Sequence, residues 1–327
     1  MKKLLSMVVV VVMMMSVVAE SSGGEPVKPK DYPKKNIVFL VPAPAGAALD
    51  IPTRIVVDLL DIGVNKVVVN RPGAAQTTGM MEYLTEPSDG YTILACAPAG
   101  MQIQPHIIDL PYDVNSFRHL TAMMVPESQM IVTNSKSDIK TFEDLTAKLK
   151  SGEMVTWSTA NPNGIGFLAA HYFFAQSEYK MPQFVPFTGT SEGFAALLGG
   201  HIDFYVIDVS LANTKISDGQ FTGVLVLDKE RAKILPDVPA SAELGYTGLE
   251  KFKAILWLAV HKDTPDDIAK YLKSEFDKII QTEAYTKKLT TMGFFPPQVF
   301  TEEELTDIIV GGSNVYGEVI KRIGLGK

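Results

Sequence analysis

The stretch Asn36-Ile37-Val38-Phe39-Leu40-Val41-Pro42-Ala43-Pro44-Ala45-Gly46-Ala47-Ala48-Leu49-Asp50 decides the fold. Asn36 to Val41 reads as an apolar run closed by Pro42, as expected of a strand buried on both faces. Small residues follow, and Asp50 and Pro52 suit the start of a helix. From Pro52 to Leu60, the residues Ile55, Val56, Leu59 and Leu60 share one helical face. A strand that runs through a short loop into a helix opens a βαβ unit, which implies a parallel sheet. Amides of a small-residue loop can approach a ligand closely, and a helix start attracts an anion through unpaired amides and the dipole. A tight strand-to-helix connection with no ligand would have the same composition, so the loop alone does not establish a site.

Outward from this unit the alternation continues. Lys66–Val69 reads as a second strand, ended by Asn70-Arg71-Pro72-Gly73, and Thr78–Leu84 as a helix. After the turn Pro87-Ser88-Asp89-Gly90 comes a third strand, Tyr91–Cys96. Further along, Thr141–Leu149 is a helix with Thr141 as cap and Asp144 at its third position. Val155–Thr159, Phe184–Phe187 and Ile202–Ile207 read as strands, separated by helices over Phe167–Gln176 and Glu192–Leu198. Gln220–Leu227 and Ile255–His261 are further strands, and the helices Asp266–Gln281 and Thr301–Val310 close the chain. The expected architecture is α/β with two lobes, 36–125 with 247–327 forming one and 126–246 the other, and two crossings between them. In open α/β sheets a ligand binds beyond the carboxyl ends of the strands, which points to loops 42–50, 70–76, 96–101, 158–166 and 187–191.

The 327 residues carry 30 basic and 37 acidic groups, a formal charge of −7 that argues against a nucleic-acid partner. A single cysteine, Cys96, excludes an internal disulfide or a multi-cysteine metal site. Lys2 and Lys3, the apolar run Leu4–Val18 and the small residues Val17-Val18-Ala19 have the layout of a secretory signal over residues 1–19. That run is shorter than the roughly 20 residues that span a bilayer. Residues 20–35 read as a flexible leader.

Two glycine motifs lie between a strand and a helix. Gly189-Thr190-Ser191-Glu192-Gly193 matches the serine-hydrolase elbow, for which Asp208 and His261 are the only downstream partners in the required order. No oxyanion loop is visible upstream, and a glycine turn that faces a ligand or caps a helix explains the motif equally. Gly164-Ile165-Gly166-Phe167-Leu168-Ala169 matches a dinucleotide pattern but lacks the acidic residue about 20 positions on. The five histidines, His106, His119, His171, His201 and His261, show no metal-ligand spacing. Neither a cofactor nor a metal is expected.

With these residues in view, the chain resembles the substrate-binding proteins of the tripartite tricarboxylate transporter system, the Bug family, from about Asn36 to Lys327. The family's opening V-P-F-x-x-G-G-x-x-D corresponds to Val41 through Asp50, and its N-R-P-G-A-G to Asn70 through Ala75. Its P-D-G-Y-T-L appears as Pro87 to Ile93 with one residue inserted, and its L-P-Y-D as Leu110-Pro111-Tyr112-Asp113. The V-P-Y-K-G and L-L-G-G-x-x-D blocks are Val185 to Gly189 and Leu197 to Asp203. The L-P-D-V-P-T-x-x-E-x-G block is Leu235 to Gly245.

The resemblance implies a periplasmic, two-lobed Venus-flytrap protein of type II-like fold that is not an enzyme. It would deliver an organic acid to integral-membrane permease subunits, and a monomer is expected. Family members hold the ligand carboxylate through amides, hydroxyls and waters of the loops. Carried over, the ligand-binding candidates are Pro44, Ala45, Gly46, Ala47, Ala48, Leu49, Asp50, Ala97, Pro98, Ser158, Thr159, Ala160, Asn163, Gly164, Ile165, Thr188, Asp208 and Ser210. Asp50 is read first as a helix cap and second as a ligand contact. The chain departs from the family at Ala43, Ala47, Leu49 and Cys96-Ala97-Pro98, and in the loop Asn161 to Leu168, where hydroxyls are lost. Two readings stay open: an acid with a larger apolar or aromatic body, or side chains that point away while water supplies the missing bonds.

Overall fold

The computed structural model describes residues 27–124, 127–161, 164–187, 189–292 and 294–327. The expected signal at 1–19, the leader up to residue 26 and the candidates Asn163 and Thr188 lie outside the described residues.

The first half of the chain runs β1 (Ile37–Val41), α1 (Asp50–Leu59), β2 (Lys66–Asn70), α2 (Thr77–Tyr83), β3 (Thr92–Cys96), α3 (Gln104–Ile107) and β4 (Phe117–Ala122). It then crosses to β5 (Gln129–Asn134), α4 (Phe142–Lys150), β6 (Thr156–Thr159), α5 (Ile165–Gln176), β7 (Gln183–Phe184), α6 (Thr190–Leu198), β8 (Phe204–Asp208), α7 (Val209–Ser217) and β9 (Phe221–Leu227). The return crossing leads to β10 (Trp257–His261), α8 (Asp266–Ile280), α9 (Glu283–Thr291) and α10 (Glu302–Arg322).

These strands form two five-stranded sheets, ordered β2-β1-β3-β10-β4 and β7-β6-β8-β5-β9. In the first, β1 pairs in parallel with β2 and β3 while β10 is antiparallel to β3 and β4. In the second, β6 is parallel to β7 and β8 while β5 is antiparallel to β8 and β9. Each sheet is therefore three parallel strands and an edge strand, with one reversed strand inserted directly after a crossing. The sequence showed no repeat, yet both lobes have the same connectivity.

One apolar cluster covers each sheet face. Val56, Phe276 and Leu289 bring α1, α8 and α9 onto one face of the first sheet. Met80, Leu305 and Ile309 bring α2 and the start of α10 onto the other. In the second lobe, Leu145, Leu168 and Phe173 cover one face, and Ala196, Leu197 and Ala212 the other. Helix α10 does not stop at Val310. Its second half carries Val315, Tyr316, Val319 and Ile320 into the core of the second lobe. Gly311-Gly312 lies inside the helix, and Gly312 permits close packing: a Cβ there would lie 2.7 Å from Gln102 Nε2. The helices α7 and α9 were not expected from sequence.

The described end of the leader is tied to the fold. Tyr32 is buried in the first core, donates to Gly90 O at 2.6 Å and packs against Tyr91 and Tyr271. Lys34 N donates to Tyr91 Oη at 2.9 Å. Residues 32–34 are thus part of the fold, and the reason is the burial of an aromatic ring.

Candidate functional site

The loops beyond β1, β2 and β3 are tied to one another. Asp50, 1% exposed at the first turn of α1, accepts from Gly46 N (2.8 Å), Arg54 Nε (2.7 Å) and Asn70 Nδ2 (2.8 Å). Asn70 Nδ2 also donates to Ala43 O at 3.0 Å, and Arg54 Nη2 donates to Asn70 Oδ1 at 2.9 Å. Burial pushes the Asp50 carboxyl up, but the bonds from Arg54, Gly46 and Asn70 outweigh it and hold the pKa below the ordinary value. Asp50 is therefore structural, but not as the cap read from sequence. It reaches back to the loop amide of Gly46, whose φ is +79°, and makes no side-chain cap bond to α1.

After β2, three successive residues without glycine's freedom, Ala74, Ala75 and Gln76, have φ of 43°, 49° and 79°. Left-handed backbone is unfavourable by about 1–2 kcal/mol per residue for L-residues. Gln76 Oε1 accepts from Gly100 N at 3.1 Å, which fastens this turn to the loop beyond β3. Nothing in the local sequence signals this turn, since alanine and glutamine rarely adopt it.

Several expected ligand contacts are already engaged or face inward. Leu49 and Ala43 are buried in the first core, as is Ala97, and Pro98 is buried beside it. Ala47 N bonds to Pro44 O, and the amides of Asp50 and Ile51 bond to Ala47 O. Pro44, Ala45, Gly46 and Ala48 are exposed. Among the described residues, the amides of Ala45, Ala48 and Leu49 have no partner.

In the second lobe, Ser158 is fully buried and donates to Val185 O at 2.6 Å. Thr159 is buried against Gly166, where a Cβ would come within 2.4 Å of Thr159 Oγ1 and 3.2 Å of Val206 O. The second glycine of the dinucleotide-like motif therefore serves close packing of α5 on the sheet. Gly164 precedes α5 without a side-chain cap, which leaves the first-turn amides of this helix for an outside acceptor. Ala160, Gly164 and Ile165 are partly exposed.

The loop beyond β8 is occupied from within. Gln129 Nε2 donates to Asp208, and burial raises the Asp208 carboxyl despite that bond. Ser210 donates through both its amide and its hydroxyl to Glu127 Oε2. Neither Asp208 nor Ser210 is a free ligand contact. Glu127 sits in the crossing between the sheets, bonded to Ala254 through both main-chain groups at 2.9 and 2.8 Å. Sequence reading missed Glu127 and Gln129 because their partners are 83 and 79 residues away.

The hydrolase reading fails on geometry. Ser191 is exposed on α6 of the second lobe, Asp208 bonds Gln129, and His261 lies at the far end of β10 in the first sheet, 3.4 Å from Asp263.

A model of the tripartite tricarboxylate transporter family receptor, TctC, matches residues 58–325. The chain belongs to this family. Its relatives include Protein BugT of Bordetella pertussis, 26% identical over 308 residues that cover 91% of this chain and 92% of BugT. A TctC solute-binding protein from Polaromonas shares the fold at a TM-score of 0.77 and 22% identity, over 89% of this chain and 99% of that one. Two Rhodopseudomonas palustris proteins also share it, both at 18% identity. MatC, solved with malate, has a TM-score of 0.71 over 88% of this chain and all of its own (100%). The other, solved with adipate, has a TM-score of 0.73 over 90% and 99%. As a TctC receptor the protein is a substrate-binding protein of a transporter and not an enzyme, and receptors of this type are periplasmic. The two-lobed α/β architecture is that of periplasmic solute-binding proteins.

Proposed function

We propose that this receptor captures a small organic carboxylate between its lobes, 36–125 with 247–327 and 126–246, and passes it to membrane permease subunits. We further propose export through a signal at residues 1–19 and a monomer as the working form. The observation that carries the carboxylate reading is the pair of amide sets without partners in loops that follow parallel strands. One is Ala45, Ala48 and Leu49 after β1; the other is the uncapped start of α5 at Ile165 and Gly166, the Gly164 amide being bonded to Asn161 O at 2.9 Å. An acidic chain has no net attraction for an anion, so local amides and helix ends must supply it. Malate and adipate in two fold relatives favour a carboxylate of that size.

The inward side chains of Ala43, Leu49 and Ala97 remove most of the argument for an apolar ligand body, and main-chain and water contacts become the favoured reading. A thermal-shift panel of dicarboxylates, tricarboxylates and aromatic acids tests this. A ligand at 100 times its dissociation constant stabilises by about 2.7 kcal/mol. Small dicarboxylates should give the largest shifts; a panel with no shift for any acid would overturn the reading.

A further inference from the structure

A groove of about 480 Å³ runs between α1 and α9 in the first lobe, lined on one side by Ile51, Arg54 and Ile55 and on the other by Lys287, Lys288 and Met292. Its floor is aliphatic: Ile51 and Ile55 pack on the first core, and Met292, just past the end of α9, is 54% exposed. Apolar groups gathered in one groove and rimmed by polar ones mark an interaction surface, whereas single exposed side chains do not. The rim is cationic, on a chain of formal charge −7, and none of the lining residues is acidic. Arg54 gives Nε to Asp50 and Nη2 to Asn70, and its Nη1 has no partner among the described residues. The Lys287 ammonium has none among them either, and Lys288 reaches only Asp58, at 3.5 Å. A second apolar groove, at Leu149, Met154 and Met181 of the other lobe, carries both Glu153 and Lys180 and so has no net sign.

Arg54 joins the α1–α9 groove to the loop beyond β1. Its Nε holds Asp50, which in turn holds Gly46 N and Asn70, and Ile51 N bonds Ala47 O. A group that lands in the groove therefore touches the helix whose start offers the Ala48 and Leu49 amides.

We propose that this groove is the surface on which the receptor docks to its membrane permease. The occupant is a periplasmic segment of a permease subunit that presents a large apolar side chain flanked by carboxylates. The inference rests on delivery to a permease, as proposed above, and names the face that makes the contact. The apolar side chain covers Ile55 and Met292, and the carboxylates meet Arg54 Nη1, Lys287 and Lys288. Opposite charges of this kind steer the encounter and fix its register more than they add affinity. A lipid surface fits less well, because anionic head groups call for clusters of about four to eight basic residues, and three line this groove.

Photocrosslinking of the full chain in cells that carry the transporter tests this. The probe is Met292→p-benzoylphenylalanine, and the control is Met154→p-benzoylphenylalanine on the second lobe, where Met154 is 72% exposed. The probe should give an adduct that mass spectrometry identifies as an integral-membrane permease subunit, and the control should not. Lys287→Glu with Lys288→Glu should lower the adduct yield at least about tenfold, since attraction becomes repulsion. The same change of charge at a distance, Lys136→Glu with Lys180→Glu, should leave it within about threefold. Lys287→Glu alone replaces the pair if the double variant does not fold, because Lys287 has no partner to lose. No adduct, an adduct with lipid, equal adducts from Met292 and Met154, or a yield that survives the charge reversal overturns the docking surface. Calorimetry of the purified protein with malate and adipate separates this from the carboxylate reading. Acid binding without a permease adduct sinks the groove and leaves that reading intact. A permease adduct from a protein that binds no acid keeps the groove and sinks the reading. If both measurements fail, both fall.

Discussion

Asp50 and Glu127 are both buried carboxylates that accept main-chain amides near a helix start, one in the loop beyond β1 and one in the crossing between the sheets. They differ in one partner. Asp50 has Arg54 at 2.7 Å, whereas Glu127 has the neutral Ser210 and an oxygen with no partner among the described residues. The first carboxyl is consequently held below its ordinary pKa and the second is raised to about 7. A cation turns a buried acid into a fastening; its absence leaves a buried acid whose carboxyl is pushed up by burial. The same chemistry thus stiffens the loop beyond β1 and leaves the region beside the crossings incomplete.

Removing the fastening should give the largest effect. Asp50→Ala frees Gly46 N, Arg54 and Asn70 together, and hydrogen bonds to a charged group contribute roughly 1.5–3 kcal/mol each without adding fully. A loss of about 3 kcal/mol in urea unfolding is expected, together with loss of ligand binding. Because the folded pKa of Asp50 is depressed, its contribution is present above the unfolded pKa and disappears as pH falls through the folded one. The variant should therefore lose the acid-side decline that Asp50 gives the parent.

The glycines sharpen the same contrast. Gly166→Ala would drive a Cβ against Thr159 Oγ1 and the Val206 carbonyl, and overpacking of that kind is unfavourable by about 1–3 kcal/mol. Gly46→Ala meets no atom within 4 Å and carries only the left-handed backbone penalty, about 1 kcal/mol. Chemical denaturation of the two should rank them in that order, and Gly166→Ala should also weaken binding by displacing the start of α5.

Glu127→Gln reverses the sign seen at Asp50. An acid whose folded pKa is raised binds more protons folded than unfolded between about 4.5 and about 7, so it lowers stability as pH rises through that window. The variant should match the parent near pH 4 and exceed it by about 1–2 kcal/mol at pH 8, a discounted share of the shift. Equal stabilities of parent and variant at both pH values would remove the contrast between the two carboxylates.

The smallest change should come from Ser158→Ala. Its hydroxyl serves the Val185 carbonyl and is buried, so stability should fall by about 1 kcal/mol while ligand affinity stays within twofold. A tenfold loss of affinity at unchanged stability would restore Ser158 as a ligand contact.

The frame of the fold was legible because it is written in local pattern. The apolar run ending at Pro42 gave β1 to within a residue, and the capping box of Thr141 and Asp144 is present at α4. The length of α10 was not legible, because Gly311-Gly312 has the local appearance of a stop while its reason lies in Gln102, distant in sequence. Helix α7 was hidden by Val209, Asn213 and Thr214, weak helix formers whose placement depends on packing against the second sheet. Small-residue loops marked where the site lies, yet not which groups face it. Leu49 faces the core, Ser210 serves Glu127, and those directions are set by partners that only the fold brings near.

The central claim is that a ligand carboxylate is held by main-chain amides of the loop beyond β1 and of the start of α5. Amide-resolved NMR of the deuterated protein, titrated with the acid that gives the largest thermal shift, tests it directly. The account predicts that the largest perturbations fall on Ala45, Ala48, Leu49, Ile165 and Gly166. Saturable binding that leaves these five amides in place would contradict it.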